Sequence, residues 1–210
     1  MKTESPLLIG LTGGPGAGKS TVAEFLRAKG AGVICGDELG RRALRRFPEI
    51  KEALRHRYGD AIFTASGRLR RRALGQLVFT QRGEAAWLNA LMYPKIYELL
   101  RLDIHRLSRT HSTIVVDAAM IFEWGIEAEF DLIWVVTAPR EIAEARMVRS
   151  GRLSSEEVRM RLHAQVPPEE KVRRTHLVIR NSGSKKELRE AVYRAWRSKI
   201  VPRLTQKNGD

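Results

Sequence analysis

The sequence predicts an α/β fold in which a parallel five-stranded sheet is flanked by helices, and three observations lead there. Short apolar, β-branched runs recur at Leu7–Leu11, Gly32–Cys35, Thr113–Asp117, Leu132–Thr137 and, more weakly, Leu177–Arg180. Segments of helical periodicity separate them, the alternation that builds a parallel sheet covered on both faces. The first run ends in a glycine-rich turn that opens directly into a helix-compatible segment, Thr21–Lys29.

Each element then follows in order. Leu7–Leu11 reads as a buried strand, and Gly32–Cys35 as a second one reached by a short crossover. Between the second and third strands, residues 38–110 show helix-like patterns at Ala73–Phe79 and Trp87–Leu107 and no convincing strand. This stretch is expected to be a helical insertion over the carboxyl edge of the sheet, where ligands of open α/β folds bind. After the fourth strand, Pro139 begins a helix that carries Arg146 and Arg149, and Ser150-Gly-Arg-Leu153 breaks it. Ser154 with Glu157 makes a capping box for a further helix running toward Gln165, which Pro167 and Pro168 stop. Residues 139–170 are therefore expected to form a lid. Asn181–Ser184 is a turn, an amphipathic helix runs from about Lys185 to Ile200, and residues 205–210 are expected to be a disordered tail.

Composition narrows the class. A chain of 210 residues buries a full core and fits one domain with an insertion. No apolar stretch approaches a membrane span, and Met-Lys-Thr-Glu-Ser-Pro runs into the first strand without a secretory leader, so a cytoplasmic chain is expected. One cysteine, Cys35, excludes an internal disulfide and a cysteine-based metal site. The net charge of +14 favours anionic partners. Its main clusters, Arg41, Arg42, Arg45, Arg46 and Arg68, Arg70, Arg71, Arg72, lack the interleaved aromatics of a single-strand stacking platform. Solvated helix faces are expected there, with neither a membrane nor a specific nucleic acid as partner.

The glycine-rich turn contains G-x-x-x-x-G-K-[ST], with Gly13, Gly18, Lys19 and Ser20 in register. In such a loop, main-chain N–H groups converge on a phosphate and glycines allow the close approach. Gly14, Pro15, Gly16, Ala17, Gly18, Lys19, Ser20 and Thr21 are the expected cradle for ATP. Lys19 would reach the β- and γ-phosphates, Ser20 would complete a Mg²⁺ shell, and Asp117 would hold the ion through water. No Asn-Lys-x-Asp guanine-reading motif is present, and Asp117 is not followed by an acidic residue, which leaves a small phosphotransferase. Asp37 lies just past the second strand, where it would either accept a proton from an attacking hydroxyl or cap the next helix; spacing alone leaves both open. Arg146 and Arg149 are one helical turn apart and would meet one polyphosphate, with Arg152 as a competitor. Ion pairs to Glu141, Glu144 or Glu156 are the structural alternative for these arginines.

At this point the chain resembles the dephospho-CoA kinase family of P-loop kinases over nearly its whole length. The resemblance rests on the phosphate loop and on Gly67-x-Leu69-x-Arg71-x-x-Leu74 with Val78-Phe79. It continues through Leu88-Asn89, Pro94-x-Ile96 and Phe122-Glu123 to Gln165-Val-Pro-x-Glu-Glu-Lys171 and Val178-Ile179-x-Asn181-Ser-Gly183. It implies transfer of the ATP γ-phosphoryl group to the ribose 3′-hydroxyl of dephospho-CoA. By the same resemblance Asp37 looks like the acidic residue near that hydroxyl and Arg149 like the lid arginine. Asn181 and Gly183 would lie by adenine, and the insertion would hold the acceptor through residues such as Arg41, Arg71 and Tyr93. A monomer is expected.

Four positions depart from the family pattern. Cys35-Gly36-Asp37 stands for Asp-Ala-Asp, Tyr93 for His, Ala119-Met120-Ile121 for Pro-Leu-Leu, and His176 for an acidic residue. Because these departures lie mostly on the acceptor side, a related P-loop kinase acting on another nucleoside or nucleotide is the alternative. A nucleotide-responsive nucleic-acid-binding protein ranks below both.

Overall fold

The computed structural model describes residues 5–81, 83–149 and 166–207. Two compact units emerge, Met1–Gly36 with Leu102–Asp210, and Asp37–Arg101. The expected helix from Ser154 to Gln165 and Arg152 lie outside the described residues.

The first unit is built on a five-stranded parallel sheet, ordered β2-β3-β1-β4-β5. Its strands are β1 (Leu7–Gly13), β2 (Gly32–Cys35), β3 (Thr113–Asp117), β4 (Leu132–Thr137) and β5 (Leu177–Arg180). All five apolar runs therefore became strands. They are apolar at consecutive positions because both faces are covered. Leu7, Ile9, Leu11, Trp134 and Val136 join one core cluster with Val22 and Leu26 of α1 (Lys19–Arg27), and with Leu188 and Val192 further along. Ile114, Val116, Ile133 and Val135, on alternate positions, are buried on the other face. Ile9 and Leu11 are fully buried, and each such side chain contributes roughly 1.5–3 kcal/mol.

The register sets the carboxyl edge. Leu11 pairs with Asp117, and Asp117 pairs in turn with Cys35. The start of the phosphate loop, the end of β3 and the end of β2 thus lie side by side. After β4 comes α6 (Arg140–Arg149), and α7 (Pro168–Arg173) precedes β5. Pro168 takes the first helical position of α7, where its missing N–H costs nothing.

The C-terminal helix departs from expectation. It begins as α8 (Lys185–Ala195), with Ser184 and Glu187 forming a capping box, widens to a π turn at Trp196–Ile200 and continues as α9 (Val201–Lys207). The tail expected to be disordered from residue 205 is helical through Lys207, and residues 208–210 lie outside the described residues. The reason lies in the spacing of Leu188, Val192, Trp196, Ile200 and Leu204, which all pack on the core. Steps of four overshoot a 3.6-residue turn by about 40° each, and the wider turn restores the phase. It also falls where Pro202 offers no N–H to the preceding turn.

The second unit is helical: α2 (Gly36–Arg46), α3 (Pro48–Tyr58), α4 (Arg71–Thr80) and α5 (Glu84–Leu107), which runs on beyond Arg101. An ion pair at the start of α5 joins it to the end of α3. Arg57 donates through Nε and Nη2 to the Glu84 carboxylate at 2.7 and 2.6 Å, and the Tyr58 hydroxyl donates to the same group. The Arg57 guanidinium also lies 4.4 Å from the Trp87 ring centroid. Arg57 and Tyr58 hold the Glu84 carboxyl down at about 2, while burial, then Glu84, pushes the Tyr58 phenol up to about 12. Among the described residues no helix is long and apolar enough to cross a membrane.

Candidate functional site

The loop from Gly14 to Gly18 leaves β1 and delivers Lys19 and Ser20 as the first two residues of α1. Gly18 is the N-cap in the left-handed region, at φ 94°, and supplies no side chain to cap the helix. With no side-chain cap, the first turn of α1 points main-chain N–H groups toward the loop, the arrangement that suits an anion. Gly16, at φ 71°, has no room for a side chain either. A Cβ there would lie 2.3 Å from the Ala143 carbonyl oxygen of α6, and one on Gly18 would lie 2.3 Å from Asn181 Nδ2. The loop is therefore held closely from two sides, by α6 and by the segment after β5.

Asn181 makes that grip specific. It is buried, its Nδ2 donates to the Ala17 carbonyl at 2.8 Å, and its own N–H donates to Thr137 O at 2.7 Å. Arg146 donates through Nη1 to the Asn181 carbonyl and through Nη2 to its Oδ1, both at 3.2 Å. Arg146, expected to share a polyphosphate with Arg149, is instead engaged with Asn181. Arg149 is the last residue of α6 and is exposed. Among the described residues an ion pair on this helix joins Arg140 to Glu144, at 2.9 Å. Gly183 lies beside the capping box, where a Cβ would meet Glu187 Oε2 at 2.3 Å.

At the neighbouring strand end Asp117 is half-buried. Gly36 lies against it: a Cβ there would come within 3.2 Å of the Asp117 carbonyl and 3.0 Å of Ala118 Cβ. Asp37, the next residue, is exposed in the first turn of α2 rather than preceding the helix as its cap. Ser20 and Asp117 offer hard oxygen donors. Such donors suit a hard cation that keeps waters and phosphate oxygens in its shell; among the described residues no group of three or more His, Cys, Asp or Glu could hold a metal.

The expected acceptor residues all belong to the helical unit. Arg41 Nε donates to Glu38 Oε2 at 2.7 Å, and Arg45 Nη2 reaches Glu38 Oε1 at 3.0 Å. These two hydrogen bonds, Arg41 first, hold the Glu38 carboxyl below its ordinary range. Arg71 is exposed at the start of α4. Tyr93 is half-buried in α5, directly before the internal Pro94, with its ring centroid 5.7 Å from that of Tyr97.

Sequence reasoning missed two features. Lys171, only 2% exposed, pairs at 3.0 Å with Glu123. His176 accepts the Ile133 N–H on Nδ1 at 3.0 Å. Both lie in motifs that were legible, but each partner is more than forty residues away along the chain.

A family model described as dephospho-CoA kinase matches residues 7–187. A dephospho-CoA kinase of Synechococcus sp. (strain JA-3-3Ab) is 38% identical over 208 residues, covering 90% of each chain. One from Chlorobaculum tepidum is 36% identical over 206 residues, covering 96% of this chain and 99% of its own. A crystal structure of a Thermus thermophilus protein superposes with a TM-score of 0.79 at 37% identity, covering 94% of this chain and all of the other. The dephospho-CoA kinase of Campylobacter jejuni, at 21% identity and a TM-score of 0.60, shares the fold, over 92% of this chain and 97% of its own.

Proposed function

The chain belongs to the dephospho-CoA kinase family, and from that we propose that it transfers the ATP γ-phosphoryl group to the ribose 3′-hydroxyl of dephospho-CoA, forming CoA. The observation that carries the ATP half is the uncapped start of α1, with Lys19 and Ser20 directly behind a glycine turn too tightly packed for side chains. Main-chain N–H groups of the Gly14–Thr21 loop, Pro15 offering none, bind the β-phosphate and its neighbours, and Lys19 neutralises charge on the γ-phosphoryl group. Ser20 and Asp117 would hold Mg²⁺, which when bound supplies further neutralisation of the phosphate oxygens. Arg149 reaches the transferring group from the end of α6. Asn181 and Gly183 flank the adenine, while Arg41, Arg71 and Tyr93 serve the acceptor.

Asp37 orients the attacking hydroxyl and accepts its proton. Its place in the first turn of α2, directly past the end of β2, leaves its carboxylate exposed for this work. Purified chain incubated with Mg-ATP and dephospho-CoA should yield CoA by mass spectrometry. Asp37→Asn should depress kcat by about 10²-fold or more while leaving ATP affinity near wild type. Equal losses in both would remove the base assignment. Phosphorylation of another nucleoside in a panel of hydroxyl acceptors, with none of dephospho-CoA, would favour the related-kinase alternative. The family match weighs against that reading and against the nucleic-acid one.

A further inference from the structure

We propose that the buried Glu123–Lys171 ion pair is a positioning device for phosphoryl transfer, tying the chain at Val166 to the strand end that carries Asp117. The inference rests on the kinase reading above and assigns a role to two residues that touch neither ATP nor acceptor in it.

The geometry is specific. Lys171 Nζ stands 3.0 Å from Glu123 Oε1 and donates to the Ala119 carbonyl at 3.1 Å. Glu123 Oε1 also accepts the Val166 N–H at 2.9 Å. The same Ala119 carbonyl accepts the hydroxyl of Thr12, a fully buried residue at the end of β1, at 3.1 Å. Three chain segments therefore meet at one pair: the β1 end that enters the phosphate loop, the stretch two residues beyond Asp117, and Val166. Val166 is the first described residue after 150–165, the stretch that follows Arg149. Arg174 adds a second tie, pairing with Glu127 and lying 4.9 Å from the Phe122 ring centroid.

Stability alone does not account for such a pair. Lys171 and Glu123 are 2% and 9% exposed, and at that depth desolvation offsets most of the attraction, so a well-packed apolar pair is often as stable. An apolar pair cannot accept from Val166 or donate to Ala119. Those two backbone bonds are what the charges add, and they fix Val166 and Lys171 against the stretch that follows Asp117. Displacing a catalytic group by about 1 Å can cost around 10²-fold in rate.

The test sets stability against turnover in two variants. E123L/K171M should keep the unfolding midpoint close to wild type, lower kcat by about 10- to 100-fold with ATP affinity little changed, and speed amide exchange at Val166. E123Q retains an amide oxygen for Val166 and Lys171, so it should unfold more readily yet keep kcat and Val166 protection near wild type. A merely structural pair would make kcat follow the midpoint in both, and that result, or E123L/K171M turning over within about twofold of wild type, overturns the proposal. Should E123L/K171M not fold, E123Q decides: kcat retained despite a lowered midpoint supports the role, and kcat falling in step with it refutes it. Wild-type chain that makes no CoA would refute the functional reading instead, while Val166 exchange, measured without substrates, still reports on the tie.

Discussion

Asn181→Asp changes one atom at the point where α6, the β5 end and the phosphate loop meet, and its effect on ATP binding can be worked from the contacts. In the native chain Nδ2 donates to the Ala17 carbonyl at 2.8 Å. A carboxylate cannot donate, so a buried carbonyl loses its partner and faces an oxygen, a cost of about 1–3 kcal/mol. At Oδ1 the bond from Arg146 becomes charge-assisted on both sides and regains about 1 kcal/mol. The fold itself is therefore weakened only modestly. ATP is affected more, because the new charge sits against Gly18 in the loop that grips the phosphates. Two unit charges about 8 Å apart at an effective dielectric of about 20 repel by about 2 kcal/mol, roughly 30-fold in Kd. Isothermal titration with ATP should show that loss in Asn181→Asp, with Asn181→Ala weaker than wild type by less. Wild-type ATP affinity in the aspartate variant would refute the contact of Asn181 with the phosphate loop as a determinant of binding. An alanine variant worse than the aspartate one would shift the weight to the Arg146 bonds.

His176→Asn should unfold in urea close to wild type, because an amide oxygen can take the Ile133 N–H, while His176→Leu should lose about 0.5–1.5 kcal/mol. Gly16→Ala should weaken ATP binding and lower the thermal midpoint, since the methyl meets the Ala143 carbonyl at 2.3 Å in a backbone conformation that costs alanine about 1–2 kcal/mol; unchanged affinity would argue against a packed loop. Glu84 has its folded pKa depressed from 4.5 to about 2, so the stability it adds is present above about pH 4.5 and is lost as pH falls through about 2. Acid titration of the unfolding midpoint should therefore show a smaller decline over that window in Glu84→Gln than in wild type.

Much of this architecture was readable along the chain. The five strands were legible because burial on both faces forces consecutive apolar, β-branched residues, a local and periodic signal. The phosphate loop was legible because its glycines, lysine and serine must be contiguous to present main-chain amides. The C-terminal helix was read only to Ile200, since the π turn that keeps Leu204 in phase arises from packing against the sheet. Arg146 shows the same limit at the site: its spacing from Arg149 pointed to phosphate, but its guanidinium goes to Asn181, thirty-five residues on.

Periodicity and contiguous motif determined the sheet and the nucleotide loop, and an ordered set of motifs along the chain carried the resemblance to the family. Sheet order and helix packing decided the rest: that Asn181 grips Ala17, that His176 accepts from Ile133, and that Lys171 finds Glu123. Residue type and spacing report only near neighbours, whereas a hydrogen bond across the fold exists once topology has brought its two ends within about 3 Å.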